Sequence, residues 1–312
     1  MIYEFAITPG VFDPSLCGNR DQWELQLRYL AKGIMADGLV ADLQDGNWSE
    51  FVSTQQLQGL LHQKAKELLT KLRASNRLRL RPRCNTNTCL IDLEWLLEAV
   101  SSHGQEALQG IITAHITCQT CTPNAYIQSI EEIHLTPWWA GRSHSRVLMR
   151  YVQVYLDALR PVLRQANSLM FIDAHINPEE TRYLTIPQMI SIAVNSGPTR
   201  PQPKIEIHRV CYEGSGRNRT FPTEGDWVNR FTSNPWGQYR FEVFIWDEFH
   251  DRHLISDLCG IQLGAGFDAS PVPVPHLTTT WTRLDRDVRD QVQREFDPAS
   301  NIHTLRYRFR VN

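Results

Sequence analysis

The stretch Phe249-His250-Asp251-Arg252-His253-Leu254-Ile255-Ser256-Asp257, followed by Gly264-Ala265-Gly266, decides the reading of this sequence. A histidine is followed by a basic residue two positions on, an acid seven positions on and a glycine fourteen positions on. In an extended strand successive side chains alternate, so His250 and Arg252 are expected on one face. Phe244 and Trp246 on one side and Leu254-Ile255 on the other frame a buried strand, with a kink at Asp247-Glu248 just before the histidine. Gly264 and Gly266 stand where a backbone can approach a phosphate closely.

The elements upstream supply a context. Leu148, Val152, Tyr155, Leu156, Leu159 and Leu163 recur at helical spacing, with Pro161 expected to kink that helix. Ser168 to Asp173 reads as a buried strand leading into Ala174-His175-Ile176-Asn177-Pro178. A helix fits Thr185 to Val194, with Pro187 in its first turn. Lys204 to Val210 alternates as a strand, Glu224 to Phe231 fits a helix, and Tyr239 to Trp246 is the strand that delivers His250.

This order of elements, together with the motif, resembles one half-domain of the phospholipase D superfamily over roughly residues 145 to 270. The family pattern is H-x-K-x4-D-x6-G-S, with Arg252 here in place of lysine and Ala265 in place of serine. The run from His250-Asp251-Arg252 to Gly260-Ile261-Gln262-Leu263-Gly264-Ala265-Gly266-Phe267-Asp268 is more closely similar to the C-terminal phospholipase-D-like domain of MIT-domain proteins. It is also similar to bacterial proteins found in phage-defence gene neighbourhoods. The resemblance implies an α/β fold, a mixed-sheet sandwich over residues 145–312. It implies a phosphodiester site in which His250 attacks phosphorus, Arg252 stabilises the charge and Asp257 orients the imidazole. Gly264, Gly266 and His253 would border the phosphate. No cofactor and no metal is implied. In the MIT-domain group the domain binds rather than hydrolyses, and the changes at Arg252 and Ala265 point the same way.

Composition bounds the alternatives. A chain of 312 residues is long enough for two cores. Its apolar content of 42% is ordinary, and nothing approaches an 18-residue apolar run. The start, Met1 to Thr8, alternates as a strand and lacks the layout of a signal peptide. Seven cysteines without framework spacing fit a reducing cytoplasm. A net charge of -2 gives no global attraction to nucleic acid, so any attraction must be local.

Two local rows of arginine meet that requirement. Between Lys64 and Arg83 there are eight basic residues and one acid, Glu67, and Arg77, Arg79 and Arg81 alternate with leucine. Near the C-terminus Arg306, Arg308 and Arg310 alternate with Leu305, Tyr307, Phe309 and Val311. Either row suits a phosphate backbone, and either also suits the solvated face of a strand.

Residues 1–140 read as an α-rich mixed domain without a recognisable role. Helices are expected from Arg20 to Gly33 with Leu25, Leu27 and Leu30 inward, and from a capping box at Ser53–Gln56 with Leu57, Leu60, Leu61, Leu68 and Leu72 on one face. A third is expected from Asp92, as cap, to Val100. Gly110 to His115 reads as a strand, and Pro137 to His144 as a linker. Cys118-x2-Cys121 with Cys84-x4-Cys89 offers four thiols for zinc, against the commoner case of buried unliganded thiols.

Two functional classes follow. One is a protein that recognises nucleic acid through a phosphate pocket, in bacterial antiviral defence by association. The other is a metal-independent nuclease or a non-catalytic protein scaffold. Cleavage needs a second histidine to protonate the leaving oxygen. A homodimer, a partner protein, or one of His253, His208 and His175 would have to supply it.

Overall fold

A computed structural model describes every residue except Arg20, 55–59, 197–200 and Ser215, and gives no side chains for 60–62. The expected helix start at Arg20, the end of the Ser53–Gln56 capping box, and the apolar positions Leu57, Leu60 and Leu61 lie outside these described residues. The chain divides into two compact units, Ile2–Arg142 and Ser143–Asn312. Both are built from mixed helices and strands, and the protein has an α/β fold.

The first unit alternates strand and helix. In chain order it contains β1 (Tyr3–Ile7), α1 (Trp23–Asp37), β2 (Gly38–Asp42), α2 (Asn47–Thr54), α3 (Leu60–Ala74) and β3 (Leu78–Leu80), followed by α4 (Asp92–Gln105), β4 (Gly110–Thr113), α5 (His115–Gln119), β5 (Ile127–Ser129) and α6 (Pro137–Ala140). Among the described residues the strands form one parallel sheet in the order β3-β2-β1-β4-β5. Every residue of β2 and β4 is buried, as expected where helices cover both faces of a parallel sheet. The short runs Leu39-Val40-Ala41 and Ile111-Ile112 are strands for this reason, since they are too short to alternate visibly. The sequence reading recognised only the strands at Met1–Thr8, Arg77–Arg81 and Gly110–His115, so this unit is more sheet-based than its helical periodicity suggested.

Several local expectations change. Leu27 and Leu30 are buried in α1, but Leu25 is 70% exposed. Asp92 does not cap α4; its carboxylate accepts the Gly10 N–H and the Thr117 hydroxyl. Pro137 to Ala140 is a helical turn with Trp139 buried, and the units divide only after Arg142.

The arginine row on β3 is not a solvated face. Glu4 on β1 is buried and pairs with both Arg79 and Arg81, and Glu106 adds a second carboxylate. Arg77 donates to the Gly38 carbonyl at 2.7 Å. Arg77, Arg79 and Arg81, candidates for nucleic-acid contact by their alternation, are therefore spent on holding β3 to β1 and β2. The leucines between them are less buried, so the alternation is inverted: Leu80 is 56% exposed.

The second unit begins with β6 (Ser145–Met149), α7 (Val152–Gln165), β7 (Ser168–Asp173), α8 (Thr185–Val194), β8 (Lys204–Val210), α9 (Glu224–Thr232) and β9 (Phe241–Trp246). It continues with β10 (Arg252–Ser256), β11 (Gly260–Leu263), β12 (Thr278–Leu284), α10 (Arg286–Glu295) and β13 (Leu305–Val311). Leu148 belongs to β6 rather than to the helix that follows, and α7 runs on through Pro161. The described strands form a mixed sheet in the order β13-β9-β8-β7-β10-β11-β12-β6. Strands β7, β8 and β9 are parallel, while β10 runs antiparallel beside β7 and β13 antiparallel beside β9. The carboxyl ends of β7, β8 and β9 thus meet the beginning of β10 at one edge of the sheet.

His208 on β8 is fully buried. Its ring stacks on Phe244 at 4.6 Å and accepts the Trp246 indole N–H at 3.1 Å. Burial holds its protonation below the usual histidine range. It is a core residue and does not serve a site.

Two predictions follow from these cores. Glu4→Gln removes the charge shared by two buried guanidinium groups and should destabilise the first unit by about 3 kcal/mol in denaturant unfolding. For His208 the folded state favours the neutral ring, whereas the unfolded chain binds a proton below about pH 6.5. Its contribution is complete above that pH and is lost as the pH falls below it. Protection factors of the β8 and β9 amides, corrected for the pH dependence of intrinsic exchange, should fall between pH 7 and 5, and less so in His208→Gln, which keeps an acceptor but cannot protonate.

Candidate functional site

Asp173 ends β7 and faces Arg252 at the start of β10, where the two residues are register partners. The aspartate is almost fully buried, and its desolvation raises the carboxyl above its ordinary range. Three groups compensate. The His175 N–H donates to Oδ1 at 3.0 Å, the Phe267 N–H donates to Oδ2 at 3.1 Å, and the Arg252 Nε lies 3.8 Å from Oδ1. Arg252 also donates to the Gly264 carbonyl at 3.5 Å, and its side chain remains 37% exposed. A guanidinium has five N–H donors, so most of its capacity stays open to solvent.

The glycine turn after β11 closes over this aspartate. Gly266 has φ +67°, and a Cβ there would overlap the Asp173 carboxylate and come within 3.0 Å of the Arg252 side chain. The N–H groups of the turn are already engaged: Gly264 with Thr280, Ala265 with the Thr279 hydroxyl, Gly266 with Leu263 and Phe267 with Asp173. Gly264 and Gly266 therefore border Arg252, but they shape the turn and offer no spare N–H of their own.

His175 follows Asp173 by two residues and is exposed. Its protonation is lowered by partial burial and by the neighbouring Arg252, Arg209 and Arg182, against the opposing pull of Asp173. It opens onto a cavity of about 210 Å³ lined also by Asn177, Glu180, Arg182, Arg209, Tyr212 and Glu213. Arg209 is a clamp rather than a ligand. It is buried over the Trp227 ring and donates to the carbonyls of Val210, Ile176 and Tyr212. Burial lowers its guanidinium to about 10. Arg182 bonds Glu180 and Asp268, and Arg150 pairs with the same Asp268 at 2.6 Å.

The motif that decided the sequence reading is divided by the strand. His250 precedes β10 in a loop, is 79% exposed, and has Glu248 at 3.9 Å. Asp257 lies just past the other end of β10, where it accepts the backbone N–H groups of Asn167 and Ser168. Seven residues at about 3.3 Å each put it on the order of 20 Å from His250, so Asp257 anchors the start of β7 and does not orient that imidazole. His253 alternates to the face of β10 opposite Arg252 and is buried there, which pushes its imidazole below the usual histidine range. It does not border Arg252's exposed end. Of the three alternative histidines, His175 alone is exposed. The sequence signal for this arrangement is the buried strand Ser168–Asp173 running directly into an exposed histidine. Asp173, Arg182, Asp268 and Arg150 carried no spacing that marked them.

On β13, Arg306, Arg308 and Arg310 do share an exposed face, paired with Asp247 and with Glu242. Among the described residues no group of three or more His, Cys, Asp or Glu is placed to hold a metal ion, so Cys84 and Cys89 do not join Cys118 and Cys121 in one. No described helix is long and apolar enough to cross a membrane.

No protein-family model matches this chain, and no curated protein matches it. Among solved structures it is similar to TrmBL2, an archaeal chromatin protein whose structure shows a novel mode of DNA binding, with 14% identity and a TM-score of 0.27. The match covers 52% of this chain and 54% of the other, about half the length of that protein.

The Gly266 turn yields a direct test. Gly266→Ala should cost more than the about 1–2 kcal/mol of a left-handed alanine alone, because its methyl group also displaces Asp173. Gly216→Ala has a similar φ of +55° with nothing within 4 Å, and should show only that smaller cost. Denaturant midpoints of the two variants provide the comparison.

Proposed function

We propose that the second unit is a phospholipase-D-like phosphate pocket that recognises nucleic acid without turning it over. The observation that carries this reading is Arg252, open to solvent beside the buried Asp173, whose carboxylate also accepts the His175 backbone N–H, at the carboxyl ends of parallel strands. Open α/β sheets bind ligands at such strand ends. A guanidinium positioned by a carboxylate and open to solvent suits phosphate oxygens. Recognition is favoured over cleavage because Asp257 is at the far end of the strand from His250 and the chain carries a single motif. The β13 arginines would extend contact along a phosphate backbone. The resemblance to proteins of phage-defence neighbourhoods supports a role in bacterial antiviral defence. If the chain does cleave, a second copy or a partner protein would supply the missing proton donor.

The test is binding of labelled single- and double-stranded DNA and RNA in EDTA across a salt series. Arg252→Ala should weaken binding about tenfold and reduce the salt slope by about one. Arg308→Ala should weaken all sequences alike. Metal-independent cleavage abolished by His250→Ala would replace this reading with the nuclease. No binding to any of these nucleic acids would remove the nucleic-acid assignment.

A further inference from the structure

The first unit has a larger cavity, independent of the arginine–histidine site. It measures about 480 Å³ and is an open cleft bordered by α5, the segment after it, and edge strand β5. Both thiols of the Cys118-x2-Cys121 pair line it, together with His115, Gln119, Gln128 and Glu132. No lysine or arginine is among its lining residues, while Glu132 is. Its field therefore repels phosphates and favours a cation.

The two thiols are held loosely. The Cys118 Sγ lies 3.7 Å from the Gln128 side-chain oxygen, and the Cys121 Sγ lies 3.3 Å from the Thr117 carbonyl. A thiol is a weak donor, so both contacts are readily given up. Cys121 lies just past α5, in a turn whose N–H donates to the Cys118 carbonyl at 3.2 Å, so one backbone turn joins the two thiol residues on the same cavity. His115 is less available. Its ring nitrogens face Glu131 at 3.4 Å and Gln119 at 2.8 Å, and Glu131 is itself held by the Gly18 and Asn19 N–H groups. The preset donor set is thus two sulfurs, which matches the absence of any three-ligand cluster among the described residues.

We infer that Cys118 and Cys121 form a two-thiolate site for a soft monovalent cation, copper(I) being the physiological case. Thiolates select soft ions of this kind, and two of them satisfy a cation that does not demand tetrahedral coordination. Binding is a proton exchange without redox change: two thiols and one Cu⁺ give one bis-thiolate complex of charge −1 and release two protons. Partial burial raises both thiols above their ordinary range. The pair is accordingly a poor nucleophile, unlike redox-active C-x2-C pairs, whose thiols are lowered. Because two protons leave on binding, copper affinity rises with pH.

The experiment uses the full chain, reduced and anaerobic, competing for Cu(I) against a chromophoric copper(I) chelator. One Cu(I) per chain is expected, with affinity lowered at least 100-fold in Cys118→Ser and in Cys121→Ser. Cys84→Ser/Cys89→Ser should bind as the wild type does, and matched circular dichroism of all variants separates lost ligation from misfolding. X-ray absorption should show two sulfur neighbours. Absence of stoichiometric Cu(I) binding would overturn the proposal. So would binding unchanged in both Cys118→Ser and Cys121→Ser, or Zn(II) held as tightly through the same two thiols.

Discussion

A buried carboxylate organises the second unit. Asp173 is removed from water at the end of β7, and such a group is tolerated only when its oxygens are hydrogen-bonded and its charge is met. The groups that satisfy it come from three places in the chain: the residue after Ala174, the turn after β11, and the first residue of β10. This one requirement fixes the register of β10 against β7, demands a glycine at 266, and orients Arg252. The exposed end of Arg252 and the neighbouring His175 are consequences of satisfying the aspartate.

The same logic appears in the first unit. Glu4 lies within the parallel sheet, and Arg79 and Arg81 supply its counter-charges from two strands away. Breaking such a pair leaves an uncompensated buried charge, so these arginines cannot also be available to a ligand. β3 and β13 are both edge strands of their sheets, yet the row on β13 differs. There the carboxylates Asp247 and Glu242 are matched to arginines that stay accessible. Two stretches with the same alternation of arginine and apolar residue thus serve opposite purposes, and what separates them is how deeply the ion-paired arginines are buried.

Each unit also has its own cavity, and the two differ in chemistry. The one beside His175 is lined by arginines and carboxylates, with Arg209 consumed by backbone carbonyls. The one beside His115 is lined by thiols, carboxamides and a carboxylate, with no basic side chain other than the imidazole.

The sequence by itself determined the elements whose side chains face a single environment. The runs 168–173, 204–210 and 305–311 and the helix 185–194 were legible because burial or alternation over that length is dictated locally. The thiol pair was likewise visible in spacing, whereas His250, expected on one strand face with Arg252, lies in the loop before β10. Tertiary structure decided everything that depends on which strands become neighbours. It converted the Arg77–Arg81 row from a surface into an ion-paired interior, carried Asp257 to the end of β10 away from His250, and brought Asp173 to Arg252 across 79 positions of chain. The physical reason is that a buried charge chooses its partner by distance in space, and no periodicity along the chain encodes that distance.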